Sequence, residues 1–275
     1  MENESGDEIN DGVYSEDGEW IVPSNYAQGP WNPDHQNGGA VAGILARAVD
    51  IQESPSPMRI ARLTIDLMRP VPMRPLKCRA KIVRGGRRIQ VVDAWLEDEG
   101  VPVARTSALR IRSDSALAQD AGFADETPPP PRPPVEPGVR ATRRKISYLP
   151  GWLRAVNYQK TGLAQPGEEG RCWVRLQRPM VSGEPNQPVV RLAAISDFSS
   201  GVANALDLGR WVSPNADLSL NILREPEGDW FCIEGRTDIS NDGVGQSSAR
   251  IYDDRGPCAR GSATLLVDRI PGQRE

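Results

Sequence analysis

The chain repeats itself at long range. Leu63-Thr64-Ile65-Asp66-Leu67-Met68-Arg69 reads against Leu218-Ser219-Leu220-Asn221-Ile222-Leu223-Arg224. Leu218 follows Leu63 by 155 positions, and the same offset lays Asp98, Pro102, Ala104-Arg105 and Ser107-Ala108 on Asp253, Pro257, Ala259-Arg260 and Ser262-Ala263. The register runs without a gap from residue 63 to residue 112. Identity within it is sparse, but the apolar alternation of strands is shared. Such a period is far beyond the roughly 20 to 50 residues of a solenoid unit. The chain therefore reads as two fused copies of one small unit, with a functional site expected where the copies meet.

A length of 275 residues accommodates two such units, each with its own core. With 38% hydrophobic and 25% charged residues, the composition is that of a globular protein. The net charge is −4 and the basic residues are dispersed, which excludes nucleic acid as the main partner, because phosphate backbones select concentrated positive charge. The basic run Arg140 to Lys145 reads as a solvated surface stretch. No segment has the ~18 continuous apolar residues of a membrane span, and the acidic start Met1-Glu2-Asn3-Glu4 is unlike a signal peptide. A cytoplasmic location is the expectation. Cys78, Cys172, Cys232 and Cys258 lie apart in strand-like contexts without CxxC spacing, so they are expected to be reduced and buried, and no metal site is expected beside a single histidine.

The pattern predicts a frayed terminus to about residue 12, then a hairpin around Glu16-Asp17-Gly18. The turn-rich segment Trp31 to Gly39 opens a helix over 40–49, on which Val41, Ile44, Leu45 and Ala48 share a face. Strands follow near 59–69, 75–84, 88–98 and 101–112. Prolines 128–131, 133, 134 and 137 mark a connector. The division is residues 1–113, a linker over 114–140, and residues 141–275. In the second unit, short strands are expected to about Pro179, a helix from about Phe198 to Leu208, and then the copied strands. Ser199 to Leu206 is set against Gly38 to Leu45.

The local wording resembles the acyl-CoA thioesterase II-like family. The resembling segments are Asn37-Gly38-Gly39-Ala40-Val41, Leu67-Met68-Arg69-Pro70, Ile195-Ser196-Asp197-Phe198, Asp217-Leu218-Ser219 with Arg224, and Gly256-Pro257-Cys258-Ala259-Arg260, in that order over residues 20–268. The resemblance implies an α+β double hotdog: two tandem units, each a long helix wrapped by a curved antiparallel β-sheet. It also implies hydrolysis of acyl-CoA to fatty acid and CoA in lipid metabolism, no cofactor, and a homo-oligomer, dimer or higher. The arginine-rich, lysine-poor usage is compatible with a high-GC bacterium.

By the same resemblance, Asp197 is the catalytic carboxylate at the start of the second helix. The family's hydroxyl position, two before an Asp on the next strand, falls on Asn215, and its glutamine on the final strand falls on Ala263, or on Thr264 after a slip of one. These substitutions leave a second reading open, a non-catalytic protein that binds acyl-CoA in a degenerate site. In chemical terms, a carboxylate beside helix-start amides activates water and stabilises the oxyanion, although Ser196 and Asp197 are also ordinary capping residues. Asn215 orients the water or the thioester oxygen, or is a turn residue after Pro214. Asp66 and Asp217 read as structural or exposed. His35 is assigned to substrate, in the first-half site or on the CoA phosphates, with loop anchoring as its other reading. Gly38 and Gly39 are assigned to substrate through their amides, with close helix packing as the alternative. Asn32-Pro33-Asp34-His35 also resembles the hydratase branch of the superfamily, but Pro30 stands where that motif needs an Asp.

Overall fold

A computed structural model describes residues 11–114, 127–132, 150–161, 168–204, 206–207 and 209–270. Residues 1–10, most of the expected linker including Pro133, Pro134 and Pro137, and the run Arg140 to Lys145 lie outside the described residues.

The first half begins with the hairpin β1 (Tyr14–Asp17) and β2 (Trp20–Pro23), turned by Gly18 at φ 60°, a left-handed conformation suited to glycine. A 3-10 turn (Asn25–Ala27) and a loop lead into α1 (Gly38–Asp50). The strands β3 (Met58–Asp66), β4 (Leu76–Arg84), β5 (Ile89–Asp98) and β6 (Val101–Arg112) follow. The second half has α2 (Gly151–Ala155), β7 (Val156–Thr161), β8 (Gly170–Leu176), α3 (Pro188–Ser196) and α4 (Phe198–Val202). It closes with β9 (Trp211–Val212), β10 (Asp217–Ile222), β11 (Phe231–Ile239), β12 (Val244–Asp253), β13 (Gly256–Leu266) and β14 (Asp268–Arg269).

Twelve strands form one antiparallel sheet in the order β1-β2-β4-β5-β6-β3-β10-β13-β12-β11-β8-β7, so the architecture is α+β with few helices. The offset of 155 carries β4 onto β11 and β5 onto β12 end to end, and the start of β6 onto the start of β13. The halves join where β3 pairs with β10, Leu63 opposite Leu220 and Ile65 opposite Leu218. Each pair maps onto the other under the offset, so the seam has the symmetry of the repeat.

Alternation sorts the faces. Leu63, Ile65, Val92, Ala94, Leu96, Ala104 and Ala108 turn inward with Leu218, Leu220 and Ile251, all buried. The opposite face of the first half carries ion pairs such as Arg105–Asp66 and Arg79–Glu97. The helix α1 is buried almost all round, from Gly39 to Ala46 and again at Ala48 and Val49. It packs on α3 through glycine: a side chain on Gly39 would run into the Ala194 carbonyl and within 2.7 Å of Trp152, and one on Gly43 into Met180. Close approach between helices requires those missing side chains.

The second-unit helix needs correction. The apolar run Val189, Val190, Leu192 to Ile195 behind Pro188 builds the helix that faces α1, with Pro188 in the first helical position, where proline is tolerated. Asp197 separates it from the five-residue α4, which ends at Val202 rather than near Leu208. The Ser-Asp-Phe-Ser-Ser wording resembles a helix start, but it sits at a break between two helices. The four cysteines are free and lie in β4, β8, β11 and β13; burial pushes each thiol up to about 12.

Candidate active site

Asn37 caps α1. Its side chain accepts the Gly39 N–H at 2.8 Å and its own carbonyl accepts the Val41 N–H. The N–H groups of Gly38 and Ala40, like those of every first helical turn, have no acceptor within the helix. The carboxylate of Asp197 occupies the space beside this end. A β-carbon built on Gly38 would lie 2.5 Å from Asp197 Oδ1. Asp197 is therefore placed beside the start of the first-half helix, and its side chain makes no capping bond to its own α4.

Asn215 completes the group, donating from Nδ2 to Asp197 Oδ1 at 2.6 Å. Its backbone is fixed at the seam: Asn215 bridges to Leu265, the Ala216 N–H donates to the Thr264 carbonyl, and the Leu67 N–H donates to the Ala216 carbonyl. Asn215 Oδ1 is buried and has no partner among the described residues. A buried acceptor left unpaired is costly. Burial holds the Asp197 carboxyl above the usual aspartate range; hydrogen bonds from Asn215, the Asn37 side chain and the Gly39 amide pull the other way without prevailing.

The two halves thus each contribute, Asn37, Gly38 and Gly39 from one and Asp197 and Asn215 from the other. Asn37 and Leu67, whose Cδ1 lies 3.2 Å from the Gly38 β-position, are the site residues without an assigned role in the sequence reading. The signal for Asn37 was present in an Asn before Gly-Gly at a helix start. The Gly39 amide is shared between Asn37 and Asp197, which leaves Gly38 as the glycine whose amide has no acceptor within the helix.

His35 lies in the loop before α1, its N–H on the Asn32 carbonyl, its carbonyl accepting from Gly29, and its backbone bridged to Pro72. Asp217 accepts the Thr264 N–H at 2.6 Å and Asp66 pairs with Arg105, both structural roles. Ala263 faces inward at 2% exposure and offers no polar atom, whereas Thr264 is on the exposed face. Two surface cavities, about 340 and 240 Å³, open beside Trp20 and Arg74 and beside Arg47 and Cys78, and neither is lined by Asp197 or Asn215.

Gly38→Ala tests the geometry. Its methyl group would displace the Asp197 carboxylate while removing a flexible residue from a helix, so activity is expected to fall about 100-fold with the melting temperature unchanged or slightly raised. Steady-state rates beside a thermal melt separate the two effects. A parallel fall in both would mean that Gly38 serves packing alone.

A large antiparallel sheet packed on a buried helix is the arrangement of a hotdog-fold protein. Residues 27–111 match the family model for the acyl-CoA thioesterase N-terminal domain and residues 124–267 that for the acyl-CoA thioesterase C-terminal domain. The chain belongs to the acyl-CoA thioesterase family. Among solved structures it is similar to an acyl-CoA thioesterase II, TesB2, from Mycobacterium marinum, at 16% identity over 95% of this chain and 96% of that one, with a TM-score of 0.66. A hot dog fold protein of unknown function from Alicyclobacillus acidocaldarius superimposes at 0.68, with 16% identity over 94% and 97% of the two chains. A candidate thioesterase II from Thermobifida fusca does so at 0.70, with 18% identity over 93% and 95%. Comparison with curated protein sequences finds no match. No helix among the described residues is long and apolar enough to cross a membrane.

Proposed function

We propose that the protein hydrolyses acyl-CoA thioesters, with Asp197 as general base. The observation that carries this is the unpaired Asn215 Oδ1 beside a carboxylate of raised proton affinity. A water that donates one hydrogen to Asn215 Oδ1 and the other to Asp197 Oδ2 keeps a lone pair free for the thioester carbonyl. Asp197 takes a proton as the C–O bond forms. The oxyanion is stabilised by the free amides at the start of α1, where the helix dipole adds positive potential. Collapse of the tetrahedral species expels the CoA thiolate, which receives the proton. In this reading the double hotdog supplies one composite centre, and Asn215 takes over the orienting work of a hydroxyl and of the glutamine replaced at Ala263. His35, on the loop that ends at Asn37, is assigned in this reading to the substrate.

The pH profile tests the base. Because burial raises the Asp197 pKa, kcat/KM should climb with pH and level off, with its inflection above the ordinary aspartate value of about 3.9. An inflection at or below that value would remove Asp197 from the role. The second reading, binding without cleavage, rests on Ala263, and predicts that acyl-CoA raises thermal stability while no free thiol appears.

A further inference from the structure

Two arginines rest on one aromatic ring beside the helix start that carries the site. The Arg178 guanidinium lies 4.6 Å and that of Arg154 5.7 Å from the Tyr26 ring centre. The three residues come from separate stretches: the 3-10 turn, α2, and the connection after β8. Their convergence is built by the backbone. The Trp152 N–H donates to the Gln28 carbonyl at 3.0 Å and the Gln177 N–H to the Ala155 carbonyl at 2.8 Å, while Gly151, lacking a side chain, lets α2 lie against the Asn25 carbonyl. Arg154 is exposed, and Arg178 and Tyr26 are half-buried. Neither arginine has a carboxylate partner among the described residues.

The cluster is linked to Asp197 through Ala27 and Asn37. Ala27, next to Tyr26, accepts the N–H of Asn37 at 2.8 Å, and Asn37 caps α1 beside Asp197. In a chain of net charge −4, an anionic substrate needs a local positive surface to approach. Guanidinium groups bind phosphate oxygens through paired, charge-assisted hydrogen bonds, and an aromatic ring beneath them holds the cations ready. We infer that Tyr26, Arg154 and Arg178 form the subsite for the nucleotide phosphates of CoA, while Asp197 and Asn215 act on the thioester. This rests on the thioesterase reading above. A second arginine pair, Arg132 and Arg175 over Trp230, belongs to the opposite sheet face with Trp173, Cys232 and Tyr252 and serves as the internal control.

The experiment compares acyl-CoA with the matching acyl-pantetheine, which lacks the nucleotide, in wild type, Arg154→Ala, Arg178→Ala and Arg175→Ala, each checked by thermal melting. Loss of a charge-assisted phosphate contact should raise KM for acyl-CoA about ten-fold in the first two variants, with kcat nearly unchanged and KM for acyl-pantetheine unaltered. Arg175→Ala should match wild type on both substrates. Equal increases on both substrates, or none on acyl-CoA, would overturn the subsite while leaving hydrolysis intact. Should neither substrate turn over, calorimetric CoA binding decides: weaker binding in Arg154→Ala and Arg178→Ala than in wild type upholds the subsite, and equal binding refutes it.

Discussion

Asp197→Asn is expected to lower kcat/KM for acyl-CoA by about 10²- to 10⁴-fold, the range for loss of a general base, without unfolding the protein. The replacement is nearly isosteric, and its amide oxygen can still accept from Asn215 Nδ2. The stability outcome carries a sign of its own. The folded protein holds the Asp197 proton more tightly than the unfolded chain does, because burial raises its pKa. Ionising Asp197 therefore costs stability as pH rises from about 3.9 through the raised value, and at neutral pH the wild type bears that cost. Asparagine does not, so the melting temperature should stay level or rise. Such a cost to the fold is what a carboxylate kept for function would carry, and an active Asp197→Asn enzyme would refute the proposed role.

Asp253→Ala should produce the largest loss of stability. Asp253 is fully buried, and Arg224 reaches it through two hydrogen bonds at 2.6 and 2.5 Å. The N–H groups of Glu227 and Arg255 donate to it as well, at 2.7 and 2.8 Å. Removing the carboxylate strands a guanidinium and two amides, at a cost of about 3–5 kcal/mol, or a fall in melting temperature on the order of 10 °C. Burial opposes the charged form of Asp253, but the hydrogen bonds and charge of Arg224 outweigh it and hold the carboxyl below its usual range. That stabilisation is present above the ordinary aspartate range and is lost as pH falls through the lowered value. The repeat supplies the control. Asp98, the counterpart of Asp253, pairs instead with the half-exposed Arg74, so Asp98→Ala should cost less than about 1 kcal/mol. Chemical denaturation of both variants checks the pair; similar costs would mean that the buried bridge at Asp253 contributes nothing special.

The same contrast shows what a sequence reveals. The strands were legible because a period of two and an ungapped offset report backbone pairing directly: β5 and β12 share both ends. The hairpin at Gly18 was legible through turn chemistry. The second-half helix was misplaced because Pro188 to Ser196 is apolar nearly throughout and carries little amphipathic signal, whereas Ser196-Asp197 has the look of a cap. Asp197 and Asn215 were singled out through family wording and do meet at 2.6 Å. Their placement at the start of α1 was not readable, since it depends on how two helices from different halves cross at Gly39 and Gly43. Asn37, named only within a resembling segment, was given no role for the same reason, because its tie to Asp197 exists only once the halves are joined.

Release of free CoA thiol from acyl-CoAs of short, medium and long chain, followed with a thiol-reactive chromophore, tests the central claim most directly. The account predicts steady thiol release for at least one chain length, dependent on Asp197. Thermal stabilisation by the same acyl-CoAs with no thiol released at any chain length would contradict it.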